Sequence, residues 1–197
     1  MMLLQPLFAD FLAREKLNLD HDTIADYCLE LNQKQKASES GMPIVLQLHE
    51  PPLRQLLLTV KEKFNEVHNK ISLSQSAYQE VMMGWININH AISPQEPHAH
   101  DDYPNLVLTA VYYPRVEKNG SNLNFMCSNP ARKFVIYQKD IGTYNEYNSK
   151  EWYVTPETGD LIIFPSWMVH YVAINRNNKN EQRLSIAFNS KIVPKRI

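Results

Sequence analysis

The sequence predicts a mainly β protein of the α+β class, a sandwich or jelly roll with N-terminal helices packed on one outer sheet face. Two observations support this prediction. Apolar residues recur at helical spacing in the first 70 or so residues, and after about Ser72 the chain changes to short runs rich in Val, Ile, Tyr and Phe. At 197 residues we expect one domain, with a helical part over 1–70 and a β core over 72–197.

Two helices are predicted in the N-terminal part. The first follows the capping candidates Asp20 and Asp22, and its apolar face comprises Ile24, Tyr27, Cys28 and Leu31. The second follows Pro51 and Pro52, and its apolar face comprises Leu53, Leu56, Leu57, Val60, Phe64 and Val67. Both faces have the i, i+3, i+4, i+7 spacing of an amphipathic helix.

Strands are predicted in the rest of the chain wherever short β-branched and aromatic runs lie between turn residues. The predicted strands lie near residues 81–89, 106–113, 122–126, 134–138, 151–154, 160–164, 170–175 and 183–189. Eight short strands in this arrangement are typical of two packed antiparallel sheets.

Composition and charge exclude several classes of function. The chain has 20 basic and 21 acidic side chains and a formal net charge of -1, so no overall field would attract nucleic acid or anionic lipid. No run approaches the roughly 18 apolar residues of a membrane span, and the first residues do not resemble a signal peptide. Cys28 and Cys127 are typical of reduced thiols. We therefore expect a cytoplasmic protein with neither membrane nor nucleic-acid partners.

Three histidines are candidate metal ligands. His98 and His100 lie one residue apart, so in an extended segment they share a face at the spacing that two ligands of one metal need. Chance alone gives about 0.25 such pairs in a chain with seven histidines, so the pair could equally be polar loop residues. His170 begins a later strand, and a lone histidine there is more often a hydrogen-bonded core residue than a ligand.

A cation lies on a strand face that could be buried. In RLSIAFN, residues 183–189, the apolar residues Leu184, Ile186 and Phe188 form one face, and Arg183 and Ser185 lie on the other. If that second face points into the interior, the guanidinium needs an anion, and a carboxylate fits its planar fork. The alternative is an edge strand with a solvated arginine.

Taken together and in this order, these motifs resemble the 2-oxoglutarate (2OG) and Fe(II)-dependent dioxygenases. The resemblance runs from about Trp85 to Asn189, over half of the chain, and is carried by WININHAISPQEPHAH, LTAVYYP, GDLIIFPSWMVH and RLSIAFN. More narrowly, the chain is similar to the 2OG-Fe(II) oxygenase family of phages and marine bacteria, a relative of the prolyl-hydroxylase-like enzymes. The resemblance implies a double-stranded β-helix, a jelly roll whose interior holds iron, with Fe(II) and 2OG as cofactors.

The resemblance also implies roles for single residues. His98, His100 and His170 would bind the metal as a facial triad. Arg183 would hold the far carboxylate of 2OG with help from Ser185. Tyr113 is a further candidate for that carboxylate because it shares a strand face with Thr109 and Val111, although plain core packing is the alternative.

One departure from the wider superfamily leaves two ligand sets open. Most members carry Asp or Glu two residues after the first histidine, where this chain has His100. The ligands are therefore either His98, His100 and His170, or His100 and Asp102 together with His170. The spacing of the surrounding family residues favours the first set. Three imidazoles carry one negative charge less than the usual triad, which would weaken Fe(II) binding or leave room for an anion.

The expected function is hydroxylation of a C–H bond in a small molecule or a peptide, with consumption of oxygen and release of succinate and CO2. One alternative is a cupin-like metal dioxygenase or isomerase that needs no 2OG. The other is a noncatalytic jelly-roll binding module. Tyr144, Tyr147 and Trp152, in a Tyr- and Asn-rich stretch over 137–153, are candidates for a loop that covers the site.

Overall fold

The computed structural model describes residues 10–37, 44–47, 49–90, 94–100, 104–118, 120–129, 141–175 and 182–195. Within these ranges the chain forms two helices and ten strands. The predicted strand at 134–138 and the candidate ligand Asp102 lie outside the described residues.

Both predicted helices are present, as α1 (His21–Ala37) and α2 (Pro51–Lys70). Asp20 caps α1, since its carboxylate accepts a hydrogen bond from the backbone N–H of Thr23 at 3.1 Å. α2 begins with Pro51, at a position where a missing N–H removes no helical hydrogen bond. Its buried apolar residues are Leu53, Leu56, Val60, Phe64 and Val67.

The strands form two antiparallel sheets. They are β1 (Ala13–Lys16), β2 (Ile44–Val45), β3 (Ala77–His90), β4 (Gln95–His98), β5 (Leu106–Arg115), β6 (Leu123–Met126), β7 (Glu151–Val154), β8 (Asp160–Pro165), β9 (His170–Val172) and β10 (Gln182–Pro194). The larger sheet has the order β1-β8-β5-β10-β3-β2, and the smaller sheet has the order β4-β9-β6-β7. This is the two-sheet jelly roll that the sequence predicts.

The larger sheet is buried on both faces. Its outer face packs against α1 and α2 in the main hydrophobic core, which includes Leu56, Phe64, Leu108 and Ile186. Its inner face meets the smaller sheet in a second cluster made of Val111, Tyr113, Leu123, Phe125, Ile162, Phe164 and Met168. Residues of one strand alternate between these faces, so the polar residues on the inner face lie between the two sheets.

β10 shows this alternation along the predicted RLSIAFN motif. Leu184, Ile186 and Phe188 belong to the core under the helices. Arg183 and Ser185 lie on the opposite face, where they are 1% and 2% exposed. The prediction of a buried cation on this strand is confirmed, and the solvated edge strand is excluded because β10 lies between β5 and β3.

The structure contains strands that the periodicity does not predict. β1 and β2 lie in the predicted helical part, yet they pair with β8 and β3 at the two edges of the larger sheet. β9 ends at Val172, whereas a strand to residue 175 is predicted, and Ile174 is 50% exposed. No helix in the described ranges is long and apolar enough to cross a membrane.

Candidate functional site

Three histidines meet at one end of the space between the sheets. His98 ends β4, His170 begins β9, and the two residues are directly paired across these strands. His100 follows β4, and its backbone N–H donates to the carbonyl of Ser166 at 2.8 Å, which fixes it beside the turn between β8 and β9. His100 and His170 are buried.

The rings of these histidines are in contact. Their centroids are 4.4 Å apart for His98 and His170, 5.0 Å for His100 and His170, and 5.2 Å for His98 and His100. One nitrogen of each ring lies within 4.8 Å of the corresponding nitrogens of the others. The structure therefore shows the predicted convergence of His98 and His100 with His170.

Hydrogen bonds at Nδ1 orient two of the rings. His98 Nδ1 lies 2.8 Å from the carbonyl oxygen of Glu96, and His170 Nδ1 lies 3.0 Å from that of Met168. A carbonyl oxygen can only accept, so Nδ1 carries the proton and Nε2 carries the lone pair. Burial lowers the pKa of His170 to about 3, so its imidazole is neutral and able to bind a cation at neutral pH.

At the other end of the space lies a cation without a carboxylate partner in the described chain. Arg183 donates to the carbonyl of Ser121 and to Oδ1 of Asn89, each at 3.1 Å, and its Nε has no partner. Both acceptors are neutral, and no carboxylate among the described residues forms a salt bridge with this buried guanidinium. Leaving a buried cation uncompensated is costly, and a bound anion would remove that cost.

A second unpaired group lies beside this cation. The ring of Tyr113 is 5.5 Å from Cζ of Arg183, and its hydroxyl is buried without a hydrogen-bond partner. Burial raises the pKa of Tyr113, so the hydroxyl keeps its proton and can donate it. Two adjacent buried donors without partners can bind an acceptor group that has several oxygens, such as a carboxylate.

The histidines and the cation line one cavity of about 290 Å³, part of which is open to solvent. The lining residues are Trp85, Asn87, Gln95, His98, His100, Val111, Tyr113, Leu123, His170, Arg183, Ser185 and Ala187. The six candidate metal-binding and 2OG-binding residues in the described chain are all among them. Asp102 is not among the described residues.

Several polar residues at the site are missed by the sequence analysis. Asn89 binds Arg183. Asn189 and Thr109 hydrogen-bond His100 Nδ1 at 2.7 and 3.2 Å. Gln95 Nε2 lies 3.4 Å from His98 Nε2. Alternation identifies Asn189, because it lies on the same face of RLSIAFN as Arg183.

The predicted covering loop is described only from residue 141 onward. Tyr144, Tyr147 and Trp152 are 49%, 41% and 52% exposed. None of these three lines the cavity. A covering role for them stays a prediction.

Comparison with known proteins agrees with this geometry. A family described as "Putative 2OG-Fe(II) oxygenase" matches residues 83–189, which is more than half of the chain. The matched segment contains every predicted site residue. No curated protein matches the sequence.

Solved structures with low sequence identity share the fold. A prolyl-4-hydroxylase from Pseudomonas putida is 14% identical, with a TM-score of 0.57 over 94% of this chain and 88% of that chain. The epimerase SnoN, in complex with Fe3+, alpha ketoglutarate and nogalamycin RO, is 15% identical, with a TM-score of 0.63 over 95% and 82%. HygX from Streptomyces hygroscopicus, with nickel and 2-oxoglutarate bound, is 10% identical, with a TM-score of 0.57 over 93% and 83%. The double-stranded β-helix is thus confirmed.

Proposed function

Because this chain belongs to the 2OG-Fe(II) oxygenase family, a family of oxidoreductases, we propose that it hydroxylates a C–H bond of a small-molecule or peptide substrate. The balanced reaction consumes the substrate R–H, 2OG and O2 and yields R–OH, succinate and CO2. The observation that carries the proposal is a buried, uncompensated guanidinium in the same cavity as three clustered imidazoles.

His98, His100 and His170 are the proposed metal ligands. Their nitrogens lie within 4.8 Å of one another, and neutral imidazoles are good ligands for Fe(II). This set is preferred to His100 and Asp102 with His170 because the spacing of the surrounding family residues favours it and its three nitrogens already lie close together. When bound, the iron supplies oxygen activation and the oxidative decarboxylation of 2OG. The three histidines would hold it at one end of the cavity.

Arg183, Tyr113 and Ser185 are the proposed binding residues for 2OG. The guanidinium would pair with the far carboxylate, and the Tyr113 hydroxyl and Arg183 Nε would gain the partners that they lack. Ser185 is buried on the same face of β10, two residues from Arg183. A five-carbon diacid held at this end directs its keto acid towards the histidines. SnoN and HygX, which bind this cosubstrate, share the fold.

Apolar side chains in the cavity would limit the access of water to the reaction. Val111, Leu123 and Ala187 provide apolar walls between the histidines and the guanidinium. Trp85 lies beside His100, with ring centroids 5.3 Å apart, and it is half-buried at the cavity wall. A second substrate would enter through the part of this cavity that is open to solvent.

The test is an assay of succinate with purified full-length protein, Fe(II), 2OG and air, since uncoupled turnover requires no second substrate. We expect succinate from the wild type and a loss of roughly 100-fold or more in His170→Ala and Arg183→Ala. Arg115→Ala is the matched control, because Arg115 is a surface residue that pairs with Asp22 and Asp26.

Two other results would contradict the proposal. Metal binding without succinate formation, unaffected by Arg183→Ala, would favour the cupin-like reaction without 2OG. Absence of both metal binding and succinate would favour a noncatalytic module. Isothermal titration of 2OG into the Ni(II)-loaded protein gives an independent measure of the Arg183 contact.

A further inference from the structure

The hydrogen bond at His100 differs from those at the other two histidines of the cluster. His98 and His170 have backbone carbonyls as Nδ1 partners, which any residue at the partner position would supply. His100 Nδ1 instead lies 2.7 Å from Oδ1 of the Asn189 side chain. The protonation of this ring therefore depends on a side chain that could present either an acceptor or a donor.

We propose that Asn189 and Thr109 form a tautomer lock, which keeps the proton of His100 on Nδ1 and so presents Nε2 to the metal. The inference rests on the proposed role of His100 as a ligand. Asn189 and Thr109 are positioning residues, because both act on the site through His100.

Thr109 decides which way the amide of Asn189 points. Its hydroxyl donates to Asn189 Oδ1 at 2.9 Å, and Thr109 is fully buried. The amide oxygen therefore accepts from two donors, the Thr109 hydroxyl and His100 Nδ1. If the amide turned over, its NH2 group would face both atoms. The Thr109 hydroxyl could then donate only to His100 Nδ1 at 3.2 Å, where it would compete with the NH2 group for a single lone pair.

The orientation of the amide in turn decides the tautomer of His100. With oxygen towards the ring, Nδ1 must donate. With NH2 towards the ring, Nδ1 must accept, and the proton would move to Nε2, which could then bind no metal. Thr109 Oγ1 also lies 3.2 Å from Nδ1, so it offers a second acceptor to the same proton. Partners of this kind typically change metal affinity by about 10–100-fold when removed.

The register of the sheet makes the lock possible. Asn189 of β10 is paired with Thr109 of β5, so the two side chains lie side by side on the inner face. His100 approaches that face from the segment after β4. Neither residue lines the cavity itself, which separates the lock from direct contact with a ligand.

The test uses full-length protein free of metal, with ¹⁵N-labelled histidine, and reads the proton position from long-range ¹H–¹⁵N spectra. The His100 signals are assigned by comparison with His100→Gln. We expect the proton on Nδ1 in the wild type and a shift towards the Nε2-protonated form in Asn189→Ala. Ni(II) titration should show an affinity about 10–100-fold weaker in that variant.

A second set of variants separates the lock from a general role in folding. Thr109→Val keeps the shape of residue 109 but removes the hydroxyl, so the amide can turn over, and we expect a smaller loss of Ni(II) affinity. Asn189→Asp presents oxygen in either orientation, so the Thr109→Val and Asn189→Asp double variant should regain Nδ1 protonation and at least wild-type affinity. A purely structural role does not predict this rescue.

The matched control is Asn124→Ala. Asn124 is a half-buried residue of β6 whose amide donates to the carbonyls of Asn122 and Tyr171. It should change neither the His100 tautomer nor the Ni(II) affinity. A wild type with its proton on Nε2, or an Asn189→Ala variant with unchanged tautomer and affinity, would overturn the lock. A wild type with the proton on Nδ1 that binds no Ni(II) would contradict the proposed function alone.

Discussion

Two unpaired polar atoms distinguish the cavity from an ordinary protein interior. Most buried donors in folded proteins have a partner, yet the Tyr113 hydroxyl and Arg183 Nε have none among the described residues. An anion bound beside them would give both groups a partner. In that case, removal of one of these groups should weaken ligand binding without lowering the stability of the ligand-free protein.

Tyr113→Phe tests that separation. Since the hydroxyl is buried and unpaired, its removal should leave the ligand-free protein as stable or raise its free energy of unfolding by about 1 kcal/mol. The same change removes a donor to the proposed carboxylate, so 2OG affinity should fall about 10-fold. Urea unfolding of the free protein and isothermal titration of the Ni(II)-loaded protein measure the two effects. A less stable variant with unchanged 2OG affinity would mean that Tyr113 is a packing residue.

The two cysteines should differ sharply in reactivity. Cys28 is fully buried on the inner face of α1, and burial raises its pKa to about 12, so almost none of it is thiolate at pH 8. Cys127 is partly exposed. Treatment with iodoacetamide at pH 8 should therefore modify Cys127 in the native protein and Cys28 only after unfolding. Mass spectrometry of peptides measures both sites, and rapid native modification of Cys28 would contradict its burial.

Pairing of the strands positions the residues of the site, and the turn at Gly159 supports that pairing. Gly159 precedes β8, and its N–H donates to the carbonyl of Tyr113 while its carbonyl accepts from the N–H of Leu17, both at 2.8 Å. It thereby ties β5 to the segment between β1 and α1. Its φ of +91° lies in the region that favours glycine. A Cβ there would lie 2.9 Å from Nε2 of His21.

Gly159→Ala should therefore destabilise the protein. The left-handed backbone and the contact with His21 both oppose a side chain, and together they should lower the free energy of unfolding by about 2–3 kcal/mol. Gly142→Ala is the matched control, since a Cβ there has nothing within 4 Å. It should change stability by less than about 0.5 kcal/mol. Equal effects of the two substitutions in urea unfolding would refute the argument.

Alternation along strands made much of the site predictable from the sequence. Arg183 and Ser185 could be placed on one face of β10 because Leu184 and Ile186 so clearly form the other. The same alternation places Asn189 on the face of Arg183. Its contact with His100 depends on β5 and β10 being neighbours, and no local sequence pattern predicts that pairing. The spacing of His98 and His100 fits two ligands of one metal, but nothing in the local sequence distinguishes metal ligands from polar loop residues. Their convergence with His170 is a consequence of tertiary structure.

Edge strands were the least predictable part of the fold. β2 has only two residues, and β1 has the sequence AREK, which lacks any apolar alternation. Both are held by pairing with a neighbouring strand rather than by their own propensity. Arg14 of β1 also pairs with the buried Asp160 at 2.6 Å, a long-range contact that the sequence does not reveal.

The helices and the sheet are joined by one core, because the outer face of the larger sheet and the apolar faces of α1 and α2 bury one another. Neither layer has another described surface on which to bury these residues. We therefore expect the predicted helical part and the predicted β core to unfold together, as one domain. The chain offers a direct test because its tryptophans, Trp85, Trp152 and Trp167, all lie in the β part.

Urea unfolding followed by far-UV circular dichroism, dominated by the helices, should coincide with unfolding followed by tryptophan fluorescence. Leu56→Ala on α2 should lower the free energy of unfolding by about 2–5 kcal/mol and shift both curves equally, because Leu56 is fully buried in the shared core. Leu58→Ala, at a position 54% exposed on the same helix, should change it by less than about 0.5 kcal/mol. Loss of the helical signal before the fluorescence change would show that the helices form a separate unit and that the site does not depend on them.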